Sequence, residues 1–324
     1  MSFPIFRPRR LRSTAAMRDL VRETRVEVAS LVAPLFIVPG SGVKKEISSM
    51  PGQFQMSTDV AALKVAQLYE LGIRSVILFG IPDSKDELGS AAWDRHGVIP
   101  SAIKAIRRAC PEMLITTDLC FCEYTSHGHC GIMKDGELQN DETLENLLKQ
   151  ALVHAEAGAD IIAPSGMLDG MIGTLRQGLD QSGFNDLTLM SYAVKYASAF
   201  YGPFREAVES TPEYGDRKSY QMDPANRSEA LREAALDIEE GADIIMVKPA
   251  LSFLDIIREV KDTFQIPTAA YNVSGEYSMV MAAARNGWID EDRVMNEILT
   301  SIKRAGADII ITYFAESFAR LGRT

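Results

Sequence analysis

Residues 157–162, 240–245 and 305–310 share one pattern, Gly-Ala-Asp-Ile-Ile preceded by Ala or Glu. In each, a stretch of helical periodicity ends at a glycine suited to a left-handed C-cap, and β-branched residues follow at once. Such a junction feeds a helix directly into a strand. Because the glycines fall at the unequal positions 158, 241 and 306, the repetition describes a βα alternation with insertions rather than a fixed-period solenoid. Five further apolar runs, at 31–38, 75–80, 114–121, 187–195 and 266–273, read as strands and bring the total to eight. Helical patterns at 59–71, 141–157, 228–240 and 290–305 lie between them, several opened by a Ser, Asp or Thr cap. Near-continuously apolar strands alternating with helices predict a (β/α)8 TIM barrel over residues 31–324, with a doubly wound open sheet as the alternative.

Two segments fall outside this alternation. Residues 201–227 have no clear period, are rich in Gly, Pro and charge, and are too long for a passive connector, so they read as an active-site lid. Residues 1–30 read as an extended N-terminal arm for oligomerisation. Arg7, Arg9, Arg10, Arg12 and Arg18 precede the first acidic residue, Asp19, a bias shared with transit peptides. Pro4 and Pro8 interrupt any amphipathic helix there, and 13–25 reads as a short helix, so an arm packing on another subunit is the better account; a solvated basic tail is the bland one.

Composition narrows the partners. The 34 Lys and Arg against 44 Asp and Glu give a net charge of −10, which disfavours nucleic acid because phosphate binding needs clustered positive charge. No apolar run approaches the roughly 18 residues of a membrane span. Four cysteines, three of them within 120–130, do not resemble a disulfide framework and point to a reducing, cytoplasmic setting.

Those three cysteines carry the first chemical signal. On an extended strand Asp118, Cys120 and Cys122 share a face, and Cys130 can return across a turn containing His127 and His129. Three thiolates with an open fourth position suit a catalytic zinc, whereas structural zinc sites close with four protein ligands. Buried free thiols are the plain alternative, and His129 stays open as a fourth ligand; Cys110, before Pro111, reads as core. The second signal is a pair of lysines, Lys195 and Lys248, each ending an apolar strand where barrels deliver catalytic groups. One ammonium beside another favours the neutral amine, the form that attacks a ketone to give a Schiff base. Ser165, Tyr271, Ser274 and Tyr313 offer hydroxyls at other strand ends, and Arg205, Arg217, Lys218 and Gln221 offer donors for a carboxylate. No phosphate-binding glycine loop supports a nucleotide cofactor.

The stretches 7–12, 118–131, 191–205, 246–249 and 273–277, in that order, resemble the porphobilinogen synthase (5-aminolaevulinate dehydratase) family over essentially the whole chain. The resemblance implies an α/β barrel whose arm wraps a neighbour in a homo-octamer. It also implies a lyase that condenses two 5-aminolaevulinate molecules into porphobilinogen for tetrapyrrole (heme) synthesis. Carried onto this chain, it makes Lys248 the Schiff-base residue for the first substrate and Lys195 for the second. Cys120, Cys122 and Cys130 match the zinc-type metal segment. Ser274 and Tyr313 match one carboxylate site, and Arg205, Arg217 and Gln221 the other, with Phe204 and Tyr271 completing the substrate-binding set. Asp118 and Ser165 line the same pocket, and Glu233 matches an activating magnesium position in some members.

Overall fold

The computed structural model describes residues 4–322, so the first three residues of the expected arm and the last two of the expected barrel lie outside it. Eight parallel strands close on themselves: β1 (Leu31–Val38), β2 (Ser75–Gly80), β3 (Leu114–Leu119), β4 (Ile161–Pro164), β5 (Thr188–Lys195), β6 (Ile244–Lys248), β7 (Thr268–Asn272) and β8 (Ile309–Thr312). Each pairs with the next, and β8 returns to β1 with Ile310 opposite Leu31. Helices follow the strands and ring the barrel, among them Thr58–Glu70, Val98–Ala109, Asn140–Ala157, Ser228–Glu239 and Glu291–Ala305. The TIM barrel expected from the sequence is the fold, and the open sheet is excluded by the β8–β1 pairing.

The repeated Gly-Ala-Asp has a structural task that explains its residue types. The glycines cap their helices with φ of 102° at Gly158, 106° at Gly241 and 122° at Gly306, in the region that penalises a side chain. Each aspartate then grips the start of the preceding strand at two points. Asp160 donates its N–H to the Ile115 carbonyl, and its Oδ2 accepts from Ile115 N at 2.7 Å. Asp243 does the same to Leu189, with its Oδ2 at 2.8 Å, and Asp308 to Thr268, at 2.9 Å. The motif therefore locks β3 to β4, β5 to β6 and β7 to β8 at the N-terminal end of the barrel. Arg107 and Lys261 neutralise Asp160 and Asp308.

Two features depart from the sequence reading. Strand β3 ends at Leu119, before Cys120, because the chain turns there and Tyr124 and Thr125 donate back to the Phe121 carbonyl. Residues 201–227 are not structureless: Gly202–Ala207 forms a helix with Pro203 in its first turn, where a missing N–H costs nothing. The arm holds a 3-10 turn, Pro8–Arg12, and a short helix, Ala15–Leu20, capped by Thr14; neither buries any residue. Among the described residues no helix is long and apolar enough to cross a membrane.

Candidate active site

The C-terminal mouth of the barrel gathers most of the candidate residues. Lys195 and Lys248 are register partners on adjacent strands, and a bulge puts them there. Met190 and Ser191 face Ile244 and Ile245, but Val194 faces Val247, so β5 carries one extra residue around Tyr192. Without it Lys195 would slip past Lys248. Both ammonium groups stand over the Tyr192 ring, at 5.5 Å for Lys195 and 5.0 Å for Lys248. Lys248 also faces Tyr201, Phe204 and Tyr271, the last at 4.4 Å from the ring centre. Burial in this cage pushes the Lys248 pKa down to about 7, with Lys195 adding to the effect and Asp118 opposing it. Lys195 Nζ donates to the Ser165 carbonyl at 2.6 Å, which fixes its direction.

Asp118 sits on the same floor and accepts from Ser165 Oγ at 3.2 Å. Burial raises its pKa to about 6 against the pull of Lys248 and Lys195. A carboxyl group so placed can hold or release a proton near neutrality.

The thiols of Cys120, Cys122 and Cys130 form a buried group whose sulfur atoms all lie within 4.8 Å of one another. It is the turn after Leu119, not an extended strand, that brings Cys122 to Cys120, with 3.4 Å between their sulfurs. Sulfurs around a tetrahedral zinc stand about 3.8 Å apart, given Zn–S bonds near 2.3 Å, so the set fits a soft metal after small adjustment. Hydrogen bonding from Cys120 and Cys122, reinforced by Arg217 and Lys195, holds the Cys130 thiol well below its ordinary range, while hydrogen bonding with Cys122 and Cys130, together with burial, pushes Cys120 up.

Glu123 escaped the sequence reading. It is buried, its Oε2 lies 3.2 Å from Cys122 Sγ, and its Oε1 has no hydrogen-bond partner. Burial, then Cys122 and Asp118, pushes its pKa well up. The only sequence signal was a charged residue within an otherwise apolar, cysteine-bearing turn.

The donor residues of 201–227 divide: Arg217 lines the cavity that holds the lysines, and Gln221 lines a separate surface cavity. Arg217 and Gln221 are buried, yet Arg217 Nε, both side-chain polar atoms of Gln221 and Arg205 Nε have no partner in the protein. Unpaired buried donors of this kind fit an anionic ligand group. Burial and the neighbouring Arg217 together lower the Arg205 pKa, a cost an incoming carboxylate would relieve. On the other side Ser274 Oγ accepts from Phe204 N at 3.0 Å, and the Tyr271 and Tyr313 hydroxyls meet at 3.1 Å. Asp118, Cys122, Glu123, Ser165, Lys195, Arg217 and Lys248 line a common cavity of only about 20 Å³. That is room for about one water, so the mouth is closed. Lys218 and Glu233 stand apart, beside a separate surface cavity of about 590 Å³ that Gln221, Asp169 and Glu229 also line.

The comparisons with known proteins agree with one another. The family model described as delta-aminolevulinic acid dehydratase matches residues 5–321. The delta-aminolevulinic acid dehydratase of Synechococcus elongatus is 57% identical over 98% of this chain and 99% of its own. That of Bacillus subtilis is 56% identical over 99% of each chain. Among solved structures, the Toxoplasma gondii ME49 enzyme, in complex with its reaction product porphobilinogen, superposes with a TM-score of 0.95 and 41% identity over 98% of this chain and 91% of that one. An aldolase, QR15, has a TM-score of 0.51 at 14% identity over 92% of this chain and 97% of its own, a likeness of fold alone.

Proposed function

Since the chain belongs to the delta-aminolevulinic acid dehydratase family, we propose that it is a lyase condensing two molecules of 5-aminolaevulinate into porphobilinogen with loss of two waters. The observation that carries this reading is the lysine pair, aligned by a bulge over one aromatic floor beside three thiols. An aldolase that uses one lysine leaves Lys195 and the thiols without a task.

In this proposal Lys248 and Lys195 each attack the ketone of one substrate as a neutral amine and expel its oxygen as water. Each lysine is released as an amine when a C–C or C–N bond replaces its imine bond, so the two waters account for the net loss. Desolvation among four aromatic rings keeps the Lys248 amine neutral without a strong base. Asp118, steadied by Ser165, holds or moves a proton at the substrate carbon between the lysines. Arg205, Arg217 and Gln221 bind one substrate carboxylate through their unpaired donors, and Ser274 and Tyr313 the other, with Phe204 and Tyr271 as walls. Cys120, Cys122 and Cys130 are the ligands for zinc, which when bound supplies a Lewis acid beside the lysines.

Residues 201–227 serve as a lid, since a cavity of about 20 Å³ admits neither substrate unless this segment moves. Residues 1–30 serve as an oligomerisation arm: Phe6 and Ile5 are 88% and 81% exposed in the single chain, which suits packing on a neighbour in a homo-octamer. Glu233, whose pKa is raised by burial and by Asp169 and Glu229, takes part in an activating magnesium site. The buried free thiols suit a cytoplasmic location.

Incubating the zinc-loaded protein with 5-aminolaevulinate and measuring pyrrole formation tests the activity. Cys122→Ala is expected to lose metal and turnover together; a metal-free yet fully active variant would remove zinc from the account.

A further inference from the structure

Both ring nitrogens of His129 are engaged by residues of 201–227. Nε2 lies 2.9 Å from the Tyr214 carbonyl oxygen, which can only accept, so Nε2 carries the proton. Nδ1, unprotonated, then accepts from the Tyr220 hydroxyl at 3.2 Å. His127 repeats the arrangement: its Nε2 donates to the Glu87 carbonyl at 3.1 Å, and its Nδ1 accepts from His129 N, also at 3.1 Å. The loop that bears Cys130 is thus held in one conformation and presents a surface on which the lid lies.

Three independent contacts seat the lid there. Glu213 N donates to the His127 carbonyl at 3.2 Å, and Arg217 Nη2 to the Gly128 carbonyl at 2.8 Å. Gly128 has φ +72°, and a Cβ there would stand 2.8 Å from the Thr211 carbonyl oxygen, so the lid backbone comes as close as a glycine allows. Tyr220, the partner of His129 Nδ1, packs against Cys120, Cys122 and Cys130.

We propose that His129 is a positioning residue: it latches Tyr214 and Tyr220 to the thiol loop, so that closing the lid over the lysines and ordering the metal site are one coupled event. This rests on the reading of 201–227 as a lid and of the thiols as metal ligands. His129 acts through the lid and not as a fourth ligand. Coupling of this kind is reciprocal. Zinc on Cys130 favours the closed lid, and the closed lid tightens the hold on zinc. Opening of the latch admits substrate, and closing it shuts water out of the cavity around Lys195 and Lys248.

The test is hydrogen exchange of the lid peptide 210–221 in the zinc-loaded full-length protein without substrate, comparing His129→Ala, His129→Gln and Tyr220→Phe. His129→Ala should raise lid exchange about tenfold through loss of two hydrogen bonds, with β6 exchange and zinc stoichiometry at saturating metal unchanged and zinc affinity lowered. His129→Gln, which keeps one donor and one acceptor, should restore most of the protection, and Tyr220→Phe should show a smaller rise. Chelating zinc should loosen the lid more in the wild type than in His129→Ala. Unchanged lid exchange in His129→Ala would overturn the proposal. So would failure of His129→Ala to bind zinc even at saturating metal, the behaviour of a ligand. No substrate enters this experiment, so failure of pyrrole formation would refute the proposed activity while leaving the latch to be judged separately.

Discussion

Replacing Lys195 with methionine removes the cation beside Lys248 while leaving most of the burial that depresses its pKa, so Lys248 should become more basic. Lys195 and Lys248 are register partners and both ammonium groups stand over the Tyr192 ring; if they were as close as neighbouring strands, about 5 Å, an effective dielectric of about 20 would give a repulsion of ~3 kcal/mol, or ~2 pH units, as an upper bound. Burial is the larger cause of the shift to about 7, and it persists in the variant, so Lys248 should settle below the ordinary 10.5. Asp118 is present in both proteins, and any zinc charge acts on both alike, so the difference between them isolates Lys195. The assay is the rate of borohydride-trapped imine formation with 5-aminolaevulinate as a function of pH. At pH 7.5 a lysine of pKa about 7 is about three-quarters neutral, against roughly one part in a thousand at the ordinary value. The midpoint for Lys195→Met should lie ~1–2 pH units above the wild type. A midpoint that stays put, or moves down, would refute the idea that the lysines tune one another.

At the opposite end of the barrel, Asp308→Ala frees Thr268 N and Lys261 and should cost ~1–3 kcal/mol of stability, seen as a lower denaturation midpoint with zinc content unchanged. His154 is buried behind β3, and burial lowers its pKa to about 3 from the ordinary 6.5. The unfolded chain therefore binds one more proton than the native one between those values, so stability contributed by this group falls as pH drops through that window. His154→Gln should flatten the acid limb of the stability curve by up to ~1.4 kcal/mol per pH unit, and an unaltered slope would contradict the assignment. On the proposed arm interface, deleting residues 1–30 should lower the mass of the protein in analytical ultracentrifugation; an unchanged mass would show that the arm is not an interface.

Much of this architecture could be read from the sequence because its determinants are local. Gly158, Gly241 and Gly306 signal helix ends by themselves, and Lys195 and Lys248 announce their strand ends by ending apolar runs. What the sequence hid depends on partners distant in the chain. The bulge at Tyr192 exists only relative to β6, and the four rings around Lys248 come from β5, β7 and the segment after β5. The grouping of Asp118, Cys120 and Cys122 was anticipated for the wrong reason, since alternation along an extended strand ends at Leu119 and a turn does the gathering. His129 stood open as a ligand because its partners, Tyr214 and Tyr220, lie in the one segment without periodicity.

The proposed covalent attachment of substrate is to Lys248 and Lys195. Reducing the zinc-loaded protein with borohydride in the presence of 5-aminolaevulinate, then locating the adduct by peptide mass, tests it most directly. The expected product is a reduced adduct on Lys248, alone or together with Lys195. Absence of adduct from both lysines, under conditions that trap a known Schiff-base enzyme, would contradict it.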